Sequence, residues 1–181
     1  MVRSSELTLV IGGASSGKSL LAEKLAAGAD QVTYVATARP IDLEMKSKID
    51  VHRDRRPAHW HTVEAHAPDL DDILLRTKTE MLIVDGLTLY TAASMSAAED
   101  PDAHMLDVVA ALRRSQGCVI VVSDEVGSGV VPESPAGRAF RQLLGRVNQH
   151  LAATADNVYF VAAGLPLTLK GREIKGEGRW V

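Results

Sequence analysis

The strongest constraint on this chain is the run Gly12-Gly13-Ala14-Ser15-Ser16-Gly17-Lys18-Ser19, set between an apolar segment and a segment of helical character. A glycine, four residues and then Gly-Lys-Ser, in a strand-to-helix context, is a phosphate-binding loop. Its glycines let successive backbone N–H groups turn toward phosphate oxygens, the helix N-terminus adds its dipole, and Lys18 adds a point charge. Ser19 is placed to offer its hydroxyl to Mg²⁺. A bare turn between strand and helix has no need of a lysine and a serine at these two places.

The remaining pattern agrees with that loop. Short runs rich in Val, Ile and Leu occur at Leu7–Ile11, Val32–Ala36, Met81–Val84, Val119–Ser123 and Val158–Ala162. They are nearly continuous in apolar character, as strands buried on both faces are. Trp60–Glu64 alternates and reads as an edge strand. Between them, Lys18–Ala27, Asp42–Arg55, Asp102–Gln116 (with Asp102 as its cap) and Ala136–Ala155 carry helical spacing. Segments Ser94–Pro101 and Asp124–Pro135 read as loops, and the residues from Lys170 to Val181 as a flexible tail. The alternation predicts an α/β fold of the P-loop NTPase type (RecA-like), a largely parallel sheet covered by helices. With 181 residues and one such pattern, residues 1–181 are expected to form a single nucleotide-binding domain.

Composition narrows the partners. A net charge of -3 argues against a nucleic-acid footprint, which needs a basic face. The single cysteine, Cys118, cannot form an internal disulfide and sits in an apolar run, where core packing is its expected role. No apolar stretch reaches the roughly 18 residues that a membrane span requires, and no leader peptide is visible, so a cytoplasmic protein is expected.

Two further positions carry chemistry. Asp85 ends the run Met81-Leu82-Ile83-Val84, where a P-loop site holds its second magnesium-directed oxygen group; an Asp before Gly86 is also an ordinary turn residue. His52 offers a neutral imidazole nitrogen among Lys48, Arg53, Arg55 and Arg56, a set able to take phosphate charge. On spacing alone His52 equally shares a packing face with Met45 and Ile49. His59, His61, His66, His104 and His150 show no metal-ligand spacing.

Beyond the loop, the chain contains Tyr34-Val-Ala-Thr-Ala38, Asp42-Leu-Glu-Met45, His52-Arg-Asp-Arg-Arg-Pro57, Trp60-His-Thr-Val-Glu64, Glu125-Val-Gly-Ser-Gly-Val-Val-Pro132 and Gly145-Arg-Val-Asn-Gln149. In this order the segments resemble the bifunctional adenosylcobinamide kinase and adenosylcobinamide-phosphate guanylyltransferase family of cobalamin biosynthesis. The resemblance implies two reactions. ATP or GTP phosphorylates the hydroxyl of a corrinoid precursor, and GMP from GTP then passes through a histidine, here His52, to the new phosphate. It further implies nucleotide contacts at Thr37, Ala38, Arg39, Arg53, Asp54, Arg55, Arg56, Glu64 and Asp85, and a homotrimer with sites near subunit interfaces. Where the family commonly shows Ser-Asn-Glu, this chain has Ser123-Asp124-Glu125. The Asn that the family usually shows near the end of the helix after the Asp85 strand is also missing. A protein with one of the two activities, or a nucleotide-dependent regulatory module acting through Asp124–Pro135, stays open at this level.

Overall fold

The computed structural model describes residues 5–40 and 42–174. Among them, seven strands form one sheet in the order β3-β2-β4-β5-β1-β6-β7. These are β1 (Leu7–Gly12), β2 (Val32–Ala36), β3 (His61–Glu64), β4 (Met81–Asp85), β5 (Cys118–Asp124), β6 (Asn157–Ala162) and β7 (Leu165–Lys170). All neighbours run parallel except the β6–β7 pair, which is antiparallel. This is the largely parallel, helix-covered α/β sheet that the sequence predicts.

Helices close both faces: α1 (Lys18–Ala26), α2 (Leu43–Arg55), α3 (Leu70–Arg76), α4 (Leu87–Ala97), α5 (Pro101–Arg114) and α6 (Pro135–Thr154). The strands are apolar throughout because alternate residues serve different layers. Leu7, Leu9, Leu82, Val84, Val119 and Val121 pack with α3, α4, α5 and α6. On the other face Val10, Ile83, Ile120, Val122 and Cys118 pack with Leu21, Ala22 and Ala26 of α1. Cys118 is thus a core residue, as its context predicts.

Several boundaries differ from the sequence reading, each for a local reason. Helix α5 begins at Pro101, and its cap is Asp100, whose carboxylate accepts from the Ala103 N–H at 3.0 Å. Asp102 lies inside the first turn and pairs with Arg146 at 2.7 Å. The segment from Ser94 is not all loop, because α4 runs on to Ala97. Asp124 belongs to β5 and Pro135 opens α6, so the true loop between them is shorter than expected. Lys170 ends β7, a strand absent from the sequence reading, and the expected tail beyond Ile174 lies outside the described residues.

Candidate active site

The parallel register lines up the carboxyl ends of five strands. Ala36 pairs with both Glu64 and Asp85, Asp85 pairs with Val122, and Gly12 pairs with Asp124. An open parallel sheet presents its loops and helix N-termini along this edge, where ligands bind.

The phosphate loop leaves β1 at Gly12 and enters α1 at Lys18. Glycine is required at 12 because a Cβ there would lie 2.4 Å from the Val161 carbonyl oxygen. Gly17, the N-cap of α1, has φ +95°, a left-handed conformation that a Cβ disfavours. The Lys18 ammonium donates to the Gly13 carbonyl at 3.0 Å and pairs with Asp124 at 2.6 Å.

Asp85 is the centre of the site. Ser19 Oγ donates to its Oδ1 at 3.2 Å, and the Tyr34 hydroxyl donates to Oδ2. The His52 Nδ1 lies 3.7 Å from the same Oδ2, within ion-pair range when the ring is protonated. Burial works to raise the Asp85 carboxyl, but the nearby His52, Tyr34 and Ser19 groups outweigh it and hold it below its ordinary value. The Tyr34 phenol moves the opposite way, raised first by burial and then by the Asp85 charge, so it remains a donor. The peptide after Asp85 is pinned by Thr37, whose Oγ1 is 3.1 Å from the Asp85 carbonyl oxygen and 2.6 Å from that of Gly86.

Helix α2 brings His52 here. Asp42 caps it by accepting from the Met45 N–H at 2.7 Å, and Arg55 near its end pairs with Glu23 of α1 at 3.0 Å. Arg56, just past the helix, stacks its guanidinium 3.6 Å from the centre of the Tyr34 ring. Tyr34 in turn stacks on Trp60. One buried tyrosine therefore ties Asp85 to the segment that carries the histidine. Arg55 Nη2 is also 3.4 Å from His52 Nδ1.

Other expected contacts are more dispersed. Arg53 turns to Asp50 at 2.6 Å, and Asp54 is exposed. Glu64 ends β3 with its carboxylate in solvent, 4.0 Å from His66. Thr37 and Arg39 border a hollow of about 190 Å³ with Met45, His66, Leu89 and Tyr90, beside the loop–Asp85 centre. The Lys48 side chain lies outside what the structure describes. Tyr34 and Asp124 are the residues that sequence reasoning did not place in the site. The one signal for Tyr34 was a lone hydroxyl-bearing aromatic in a Val-rich strand; for Asp124 it was a carboxylate where resemblance expects an amide.

The donor set suits Mg²⁺: a serine hydroxyl beside carboxylate oxygens supplies the hard oxygen ligands that this ion takes.

Comparison with known proteins identifies the family and the fold. The family model for cobinamide kinase / cobinamide phosphate guanyltransferase matches residues 8–169. The chain is 41% identical over 183 residues to the bifunctional adenosylcobalamin biosynthesis protein CobU of Salmonella typhimurium, covering 91% of this chain and 99% of that protein. It is 40% identical to the bifunctional adenosylcobalamin biosynthesis protein CobP of Pseudomonas aeruginosa over 173 residues, covering 92% and 98%. Among solved structures, the flagellar accessory protein FlaH of Methanocaldococcus jannaschii superposes with TM-score 0.52 at 15% identity, covering 92% of this chain and 78% of its own. An ATPase from a bacterial type III secretion system gives TM-score 0.56 at 12% identity, covering 90% and 56%. These last two show the fold alone.

Removing the Tyr34 hydroxyl tests the centre. A group whose folded pKa is depressed contributes stability above its unfolded pKa, and that stability is lost as pH falls through the folded value. Tyr34→Phe withdraws a donor to Asp85, so the folded carboxyl titrates at higher pH and acid unfolding begins earlier. At neutral pH the variant is expected to lose about 1.5–3 kcal/mol, the range for a hydrogen bond to a charged group. Carboxyl-carbon NMR titration and urea unfolding, both without added magnesium, read the two effects.

Proposed function

The chain belongs to the cobinamide kinase / cobinamide phosphate guanyltransferase family, and from that premise we propose that both transfers run at the carboxyl edge of the sheet, around Asp85. The protein is an enzyme of cobalamin biosynthesis with the family's two activities, kinase and guanylyltransferase. The observation that carries the site assignment is the convergence of Lys18, Ser19, Asp85 and His52, with Asp85 within 3.2 Å of Ser19 and 3.7 Å of His52.

In the kinase step the corrinoid hydroxyl attacks the γ-phosphorus of ATP or GTP, the electron pair of the broken bond leaves with the nucleoside diphosphate, and the hydroxyl proton passes to solvent. The phosphate loop, Gly12 to Ser19, holds the phosphates through backbone N–H groups, and Lys18 offsets their charge. Ser19 and Asp85 would hold Mg²⁺, which when bound neutralises part of the triphosphate. In the transferase step an imidazole nitrogen of His52 attacks the α-phosphorus of GTP, and the electron pair of the broken bond leaves with pyrophosphate. The corrinoid phosphate then takes the GMP unit and frees the histidine. Arg53, Arg55 and Arg56 supply cations near His52. Asp54, Thr37, Ala38, Arg39 and Glu64 belong to the nucleotide-facing rim, where a carboxylate such as Glu64 can accept from guanine N–H groups or ribose hydroxyls.

A single domain, residues 1–181, carries this chemistry in a cytoplasmic setting. Among the described residues no helix is long and apolar enough to cross a membrane. The protein acts as a homo-oligomer, a trimer in this reading. Support comes from the edge strand β7, whose Leu165, Leu167 and Leu169 share one face and are 59–65% exposed, together with exposed Val130 and Val131 in the loop after Glu125.

Separate assays of the half-reactions test the assignment. His52→Ala is expected to reduce GMP transfer to background while the kinase step continues; Lys18→Met is expected to slow both by about 100-fold or more, the scale of one lost charge-stabilising donor. Normal GMP transfer by His52→Ala would refute the histidine route. Leu167→Asp is expected to shift the protein to a smaller species in light scattering, and an unchanged mass would remove β7 from the interface.

A further inference from the structure

Lys18 is the cation on which triphosphate binding is expected to lean, and a carboxylate already engages it. Asp124 Oδ1 is 2.6 Å from Lys18 Nζ, and a second lysine hydrogen goes to the Gly13 carbonyl at 3.0 Å. An ammonium has three hydrogens, so one is left for a phosphate oxygen unless a contact is exchanged.

Asp124 is built into this place. Strand β5 lies between β1, which feeds the phosphate loop, and β4, which ends in Asp85. The residue at the end of β5 therefore stands in register with Gly12, where the phosphate loop begins. Its backbone is fixed from three directions. The Asp124 N–H donates to Thr88 Oγ1 at 2.7 Å, its carbonyl accepts from Asn148 Nδ2 at 3.0 Å, and the next N–H, of Glu125, donates to the Gly12 carbonyl at 3.0 Å. Asn148 is held in turn by Ser123, which donates to its Oδ1 at 2.7 Å. A surface ion pair lacks such a frame. The pair is also sheltered, with side-chain exposures of 14% for Lys18 and 30% for Asp124.

We propose that Asp124 is the residue that sets triphosphate affinity in this enzyme, a fixed counter-charge that cancels part of the positive charge of Lys18 and sets the phosphate site to a weaker hold. The inference rests on the reading that Lys18 serves the phosphates. Its physical content is Coulombic: a carboxylate at hydrogen-bond distance from the lysine repels each phosphate charge brought to that lysine. The repulsion falls on the β and γ groups, which a P-loop lysine meets, and much less on a monophosphate. Asp124 acts through Lys18 in this scheme, as a positioning residue.

The test is the affinity for guanosine 5′-(α,β-methylene)triphosphate with Mg²⁺, an analogue whose α–β link His52 cannot cleave, measured by calorimetry beside GMP. Asp124→Asn keeps the shape and the hydrogen-bonding frame while removing the charge, and is expected to tighten the analogue about tenfold with little change for GMP. Asp124→Ala removes the charge by another route and is expected to tighten it in the same direction. Unchanged or weaker binding in both variants, with Lys18→Met still losing binding, would overturn the proposal and leave the phosphate-loop reading intact. Wild-type affinity in Lys18→Met would instead remove the reading and the proposal together. Equal tightening of GMP and of the triphosphate analogue would point to a general structural effect and likewise contradict it.

Discussion

A negative charge at the end of a buried parallel strand is the constraint around which this structure is arranged. Asp85 sits where β4 leaves the core, and burial alone would favour its neutral form. It stays charged because three elements deliver polar groups to it: Ser19 from the first turn of α1, Tyr34 from β2 and His52 from α2. Two of them come from crossover helices and the third from the strand beside β4. The carboxylate is therefore a point where the fold is closed as well as a point where chemistry is placed.

The parallel topology makes the closure possible. Strands β2, β4, β5 and β1 end on the same edge, Ala36 in register with Asp85 and Gly12 with Asp124, while Asp124 lies two residues beyond Val122, the register partner of Asp85. The two cores on either face fix that edge. Helix α2 has no buried residue among its described side chains and reaches the site through Arg56, just past its end, over Tyr34 and through Arg55 on Glu23.

The parts of this arrangement that could be read from sequence were those encoded by contiguous residues. The strand, glycine loop and helix around Lys18 form one uninterrupted signal, and Asp85 closes an apolar run. Family resemblance supplied His52, but its approach to Asp85 depends on where α2 packs, which no local pattern states. Helix α4, which only the family resemblance implies, has no clear helical pattern in its own residues because Thr88, Thr91 and Ser94 are buried inside it. Two of these hydroxyls turn back on the helix, Thr91 to the Leu87 carbonyl and Ser94 to that of Tyr90, so polar residues occupy core positions and blur the periodicity. Strand β7 was obscured for the opposite reason, since its leucines face outward and Pro166 interrupts the run. The Asp124–Lys18 pair joins residues far apart in the chain, and only the neighbouring positions of β1 and β5 bring them together.

The central claim is that His52, held beside Asp85, becomes the carrier of GMP. The direct measurement is peptide mapping by mass spectrometry after incubation of the purified protein with GTP and Mg²⁺ under alkaline work-up, which preserves phosphoramidates. The account predicts one added GMP on the peptide containing His52, removed by acid treatment. An adduct on any other residue, or a protein that binds GTP tightly and acquires no adduct, would contradict it.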